Sequence, residues 1–483
     1  MTIHSSNNLK NLREIWIRKY MTAPTQLKKM SDVRGLISAF NANIDAVIKI
    51  SGERIEELVS LQNLDEKRLI TEGERRIQSV EDFLRGIIHC FQSGIAEEWL
   101  IEDEAIFSWL DDNIGYDRLQ MGGQGGIVAN VMAVCGVDPV YVHCASLPAD
   151  QAALFLDLEN LQTVDQNGDL RKARSINRQD DTPLVHWIIE FDKGDVLNCS
   201  GQSFECPKSN RFIATYDPLN FKLHIDKHFA EAMAELSEKV EIIVLSGYQM
   251  LKEILGDGTP GKKRIDSSIN SIKRWRSVNE RQITHLEMAS TQDRVMRKYL
   301  LDTLAKEVDS LGFNERELID LLEVMGEDNL AEKCEKDTSG VNLFQGMLRI
   351  FSYTGVPRLQ LHMFGLYLTL QKRNFVISPE KGRNGMQLAS VIAATKAGTG
   401  SINTREVLLW AKDQPVSDIG LSELTSLSDF IEANYGENSL PESGVFECID
   451  FEMIAVPTIL IDKPVTLVGM GDTISSVSLV AAR

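Results

Sequence analysis

Two spacings of apolar residues take turns along this chain. Residues 33–40, 184–191, 241–247 and 282–290 are short, nearly continuous apolar runs, and each ends in polar residues or glycine, the pattern of buried strands. Between them the apolar positions recur every three to four residues. Ile55, Leu58, Val59 and Leu61, then Phe83, Leu84, Ile87 and Ile88, lie within the charge-dense stretch 51–92 and predict amphipathic helices. Residues 1–30 read as a helical or frayed lead-in. From residue 240 onward strand and helix patterns alternate regularly, through 359–368 and 389–398 to a last strand beginning at Val465. Such alternation predicts an α/β protein, whose ligands bind at the carboxyl ends of the strands. No internal repeat or low-complexity segment is present.

Several of the predicted turns carry chemistry. From Val465 to Thr473 the chain reads Val-Thr-Leu-Val-Gly-Met-Gly-Asp-Thr, followed by small residues that predict a helix over 474–482. Strand, tight turn and helix N-terminus suit an anion. Glycines let amides approach a phosphoryl oxygen, the first turn leaves amides unpaired, and the helix dipole adds partial positive charge. A phosphate there would repel Asp472, so that carboxylate needs a purpose, and accepting a proton from an attacking hydroxyl supplies one. A dinucleotide fingerprint would need a third glycine where Ile474 stands, and a P-loop would need Gly-Lys-Ser/Thr, which is missing. After the first strand, Asn43 and Asp45 are candidates for substrate hydroxyls or for capping a turn. Gly122, Gly123, Gln124, Gly125 and Gly126 precede a small-residue helix and predict a hinge, close approach to a ligand, or both. Arg171, Lys172, Arg174 and Arg178 form a basic island or a solvated loop, and Lys208 and Arg211 lead into another strand. His285 and Glu287 share one face of their strand by alternation. Asn314 and Glu317 fit either a capping box or metal binding.

Composition narrows the setting. The 483 residues, 43% hydrophobic, suffice for a large core and either two lobes or one core with an insertion. Fifty-one basic against seventy acidic residues leave a formal charge of −19, which argues against nucleic-acid or anionic-membrane partners. Seven cysteines without a Cys-x-x-Cys pair, and no secretory h-region or membrane-length apolar run, suggest a reduced cytoplasmic location.

In this order and spacing, Asn-Ala-Asn-Ile-Asp (41–45), Gly-Gly-Gln-Gly-Gly (122–126), Asn-Arg-Phe-Ile (210–213), His-Leu-Glu-Met-Ala-Ser (285–290), Gly-Phe-Asn-Glu-Arg-Glu (312–317) and Gly-Met-Gly-Asp-Thr (469–473) resemble the ADP-dependent sugar kinases, a branch of the ribokinase-like superfamily. The resemblance implies a three-layer α/β/α core (1–45, 121–167 and 214–483) with an inserted smaller α/β lid (46–120 and 168–213). It implies Asp472 as catalytic base, with Gly469, Met470 and Gly471 forming the anion hole, and Arg211 on the nucleotide phosphates. Glu287 and Glu317 would hold Mg²⁺ or another divalent cation. Asn43, Asp45, Gly122, Gly123 and Gln124 would meet the sugar. Lys172, Arg174 and Lys208 would hold a sugar phosphate, which favours fructose 6-phosphate, while Glu97, just before the expected Glu98, resembles the glucose-binding branch. ADP as donor, fructose 6-phosphate as acceptor, glucose as a second acceptor, and a monomer or small homo-oligomer are therefore expected. The alternatives are a glucokinase only, or a catalytically silent sugar- or nucleotide-binding protein on the same fold.

Overall fold

The short apolar runs become the middle of an eleven-stranded sheet. The computed structural model describes residues 2–71 and 73–483, with side chains from residue 9 onward; Met1 and Glu72, within two of the stretches read above, lie outside the described residues. From one edge the strand order is Val445–Glu447, Glu452–Pro457, Leu366–Gln371, Arg358–Met363, Ser310–Phe313, Ile283–Glu287, Ile242–Leu245, Arg34–Ala39, Asp138–Val142, Leu161–Val164 and Leu170–Lys172. Every neighbouring pair from Arg358–Met363 to Leu161–Val164 is parallel, and the flanking pairs are antiparallel. All of Ile242–Leu245 and Ile283–Glu287 is buried; the first is wholly apolar, as a central parallel strand is expected to be, whereas the second carries His285 and Glu287 into the interior. Helix Met470–Val480 packs between Pro379–Thr399 and Gln124–Cys135. Its N-terminus therefore meets the carboxyl ends of the parallel strands.

The second sheet has six strands, in the order Arg76–Ile77, Glu97–Ile101, Asn210–Tyr216, Val185–Phe191, Asn43–Lys49 and Arg118–Gly122. Alternation divides its residues between two faces. Ile44, Ala46, Trp99, Ile101, Val185, Trp187, Ile189, Phe212 and Ala214 join Phe83, Leu84 and Ile87 of helix Val80–Ser93 in a core separate from that of the large sheet. The residues between them look the other way, toward the large sheet.

Three expectations are corrected here. Leu170–Lys172 pairs with Leu161–Val164 as the edge of the large sheet, so the start of the expected lid segment 168–213 belongs to the larger body. A tight turn, in which Asp165 and Asp169 bond through their backbones, brings the two strands together. The stretch 359–368 spans two antiparallel strands that reverse at Gly365, whose φ is +86°. Val465 begins no strand, because the sheet's last strand, Glu452–Pro457, already has a partner on each side. Val465 and Leu467 instead stand 67% and 66% exposed on an irregular loop that leads to the final helix. Among the described residues, no helix is long and apolar enough to cross a membrane.

Candidate active site

The inward face of the small sheet and the carboxyl edge of the large one enclose a cavity of about 390 Å³. Strand alternation selects its small-sheet wall. Asn43 and Asp45, Glu98, His186 and Arg211 come from four strands and line the cavity together. Asn43 donates to Asp45 Oδ1 at 2.9 Å. Asp217 Oδ2 accepts from Asn220 Nδ2 at 2.8 Å and lies 3.2 Å from His186 Nε2. Burial pushes the His186 pKa down, but the hydrogen bond and charge of Asp217, helped by Glu98 and Asp45, prevail and raise it to about 9. The imidazole is therefore a cation at neutral pH. Three buried side-chain oxygens that line the cavity, Asn41 Oδ1, Asn43 Oδ1 and Gln249 Oε1, have no hydrogen-bond partner. Each unmet acceptor costs about 1–3 kcal/mol, so a ligand rich in hydroxyl donors would relieve them. Gly123 is required by this wall: its φ is +73°, and a Cβ there would lie 2.7 Å from Asn43 Oδ1.

The opposite wall is the turn into the last helix. Gly469 caps Met470–Val480 in the left-handed region, at φ +62°, and the first turn, whose amides have no partner within the helix, borders the cavity through Gly469 and Asp472. Gly471 packs against His362, where a Cβ would come within 2.7 Å of the ring. Asp472 lies in that first turn, 9% exposed, and Oδ1 accepts from Gln124 Nε2 at 2.9 Å. Gln124 Oε1 in turn accepts from the Gly247 amide at 3.2 Å, so one side chain ties Asp472 to the end of a central strand. Burial raises the Asp472 pKa, while Gln124 and Lys396 restrain the rise.

Beside this turn Glu287 and Glu317 are buried, and among the described residues neither has a lysine or arginine within ion-pair distance, although the buried Arg358 offsets part of the Glu287 charge. Burial, then the charges of Glu317 and Asp472, push Glu287 well above the carboxylate range. Glu317 is raised to about 8 by burial, against the Asn314 amide and with Asp472 and Asp320 adding to the rise. Both readings of Asn314 and Glu317 are compatible: the capping box is formed, with Glu317 Oε2 accepting from the Asn314 amide at 2.9 Å, and the carboxylate still faces its acidic neighbours. His285 holds Glu287 Oε2 at 3.0 Å and is itself fixed by Ser310 at 2.9 Å. Burial, with Arg358 and His362 adding to it, keeps His285 neutral. Repelling buried carboxylates of this kind fit a hard divalent cation. Among the described residues no group of three or more His, Cys, Asp or Glu converges as a direct ligand cluster. That fits an ion that keeps much of its water and takes phosphate oxygens as ligands.

Four expected site residues stand elsewhere. Glu97 shares the outward strand face with Trp99: it pairs with Arg75 at 2.8 Å and accepts from Trp99 Nε1 at 2.8 Å, while Glu98 faces the cavity and accepts from Thr215. Lys172 pairs with Asp157 and Glu159 on the far edge of the large sheet. Arg174 donates to the carbonyls of Ala153 and Phe155 at 2.6 and 2.8 Å, which places it on a neighbouring cleft instead. Lys208 is exposed, at the Gly94 turn. The basic island is thus spent on loop structure, and Arg211 lines the cavity with no carboxylate paired to it among the described residues. His186, Asp217 and Asn220 were not singled out from the sequence, although a polar residue among the alternating apolar positions of its strand marks the first; Glu98 entered only as the glutamate that the resemblance implies beside Glu97.

The family model of the ADP-specific phosphofructokinase/glucokinase conserved region matches residues 34–481. An ADP-specific phosphofructokinase of Methanosarcina acetivorans is 28% identical over 479 residues, which cover 97% of this chain and 97% of that protein. An ADP-dependent glucose/glucosamine kinase of Pyrococcus abyssi is 31% identical over 473 residues, 96% of this chain and 98% of its own. A solved ADP-dependent kinase in complex with fructose-6-phosphate and ADPβS superposes with a TM-score of 0.81 at 30% identity, covering 97% of each chain.

Proposed function

The chain belongs to the ADP-specific phosphofructokinase/glucokinase family, and on that premise we propose that it transfers the terminal phosphoryl group of ADP to fructose 6-phosphate, giving fructose 1,6-bisphosphate and AMP. The observation that carries this reading is the opposition of two walls across one cavity: orphaned amide oxygens and carboxylates that suit a polyol, and an amide-lined helix N-terminus bearing Asp472 that suits a phosphoryl group. The sugar hydroxyl attacks the terminal phosphorus; its proton passes to Asp472, the new P–O bond forms, and the bond to the AMP oxygen breaks. Gln124 orients Asp472, and burial makes that carboxylate a better base than an exposed one. Arg211 and the amides of the turn offset charge on the transferring group. Mg²⁺ or another divalent cation, held by Glu287 and Glu317 largely through water, would neutralise further phosphate charge when bound.

A phosphorylated acceptor is supported by the solved relative that holds fructose-6-phosphate, at 30% identity over 97% of both chains. Glucose as a second acceptor is favoured by Glu98, an acceptor for hydroxyl protons on the cavity wall. The test is AMP release by the purified protein with ADP and Mg²⁺, run with fructose 6-phosphate, with glucose, and with ATP in place of ADP. AMP formed with fructose 6-phosphate supports the reading, and AMP with both sugars adds the second acceptor. Turnover with ATP alone would overturn the donor, and no turnover with any pair would favour a binding protein.

A further inference from the structure

Behind the Gly469 turn stands a lysine that the transfer step does not use. Lys396 lies in the last turns of helix Pro379–Thr399, which packs along Met470–Val480. Its Nζ donates to the Gly469 carbonyl at 3.3 Å. The same oxygen accepts from the Thr473 amide at 3.2 Å and the Thr473 hydroxyl at 2.7 Å, so the residue that caps the helix is held from more than one side. The contact is close: a Cβ on Gly469 would lie 2.9 Å from Lys396 Nζ and 2.6 Å from Ile127.

This is an unfavourable place for a cation in the empty protein. The helix N-terminus carries partial positive charge that opposes it. Burial pushes the Lys396 pKa down to about 8, and the charges of Asp472 and Asp45 only partly restore it. Among the described residues no carboxylate lies within ion-pair distance of its Nζ, so ion pairing does not explain the lysine. An anion seated on the amides of residues 470–472 would reverse the balance, because it would attract both the helix terminus and the ammonium.

We propose that Lys396 is a positioning residue for phosphoryl transfer: it pins the Gly469 carbonyl so that the amides of the turn face the phosphoryl group, and it supplies a fixed positive charge behind them. This rests on the phosphoryl-transfer reading above. The lysine is reachable. A cleft of about 750 Å³, lined by Lys396, Arg118, Asn130 and Arg174, adjoins the sugar cavity and shares Ile127 and Val468 with it. Lys396 thus borders a cleft that is separate from the sugar cavity.

The test compares Lys396→Arg, Lys396→Gln and Lys396→Ala with wild type in steady-state turnover and thermal melting, and adds ethylammonium to Lys396→Ala. Removing the charge is expected to lower kcat roughly 10- to 100-fold, as a displaced reacting group does, and to leave the sugar KM within about threefold. Lys396→Arg recovers most of kcat, and Lys396→Gln, which keeps a donor but no charge, falls between. Ethylammonium restores Lys396→Ala in a saturable way, which a purely structural lysine would not allow. Wild-type kcat in Lys396→Ala, or a lowered melting temperature with unchanged kcat and no rescue by amine, overturns the proposal while the functional reading survives. A wild type that turns over no sugar with ADP overturns both.

Discussion

Glu97 and Glu98 are neighbours in sequence and sit on opposite faces of one strand, so the pair separates two accounts of sugar recognition. Glu98→Ala is expected to raise the glucose KM at least tenfold, since a hydrogen-bonded charge is worth about 1.5–3 kcal/mol, with a smaller effect on fructose 6-phosphate; Glu97→Ala should leave both KM values near wild type. Steady-state kinetics on the two sugars decides it, and a Glu97→Ala variant that loses glucose alone would contradict the strand phase. His186 offers a test by pH. Its folded pKa of about 9 lies above the ordinary value of 6.5, so the bound proton stabilises the fold fully below about pH 6.5. That contribution is lost as pH rises through about 9. Chemical denaturation should show wild type losing up to about 3 kcal/mol relative to His186→Gln between about pH 6.5 and 9.5. A difference independent of pH would show that no imidazolium is buried there. At this scale the sequence was partly legible. Asp472, Asn43 and Asp45 announce themselves because they flank glycines or follow a strand. Which of two adjacent glutamates faces inward depends on the phase of a five-residue strand, which only its neighbours set.

Among elements, the strand Arg118–Gly122 and its glycine junction show most plainly how local backbone makes the site. A Cβ on Gly122 would lie 2.0 Å from Asp45 Oδ1 and 2.4 Å from Asn43 Nδ2. Gly122→Ala should therefore displace both sugar-wall side chains and raise the sugar KM at least tenfold, with ADP affinity, read by calorimetry, little changed. Equal loss of both affinities would place the damage in the hinge as a whole. The close approach at the glycines of residues 122–126 and the final helix were legible because glycine and small-residue runs restrict what the chain does locally. The strand read at Val465 was not one, because β preference forms a strand only where a partner edge is open. The basic run at 171–178 misled for a related reason: cations close to acidic loops and free carbonyls are satisfied there first.

In the whole molecule, two sheets with separate apolar cores face one another across the candidate cavity, with further contacts beside it such as Met121 of the small sheet against the larger core. A joint of this kind would allow rigid-body closure on ligands, and closure would exclude water from the phosphoryl group. Small-angle scattering should show a smaller radius of gyration with ADP and fructose 6-phosphate together than with either alone. An unchanged radius would mean that the cavity is already closed. The alternation of strand and helix made the α/β class legible, while the boundary between the two bodies was less so, because the chain crosses between the sheets in short loops, such as residues 40–42, that carry no linker composition. The central claim remains that Asp472 takes the proton from the sugar. Single-turnover formation of AMP by Asp472→Asn, with ADP affinity measured in parallel, tests it most directly. The proposed mechanism predicts a rate lower by roughly 10²–10⁴-fold with ADP affinity close to wild type; near-normal turnover would remove Asp472 from the role of base.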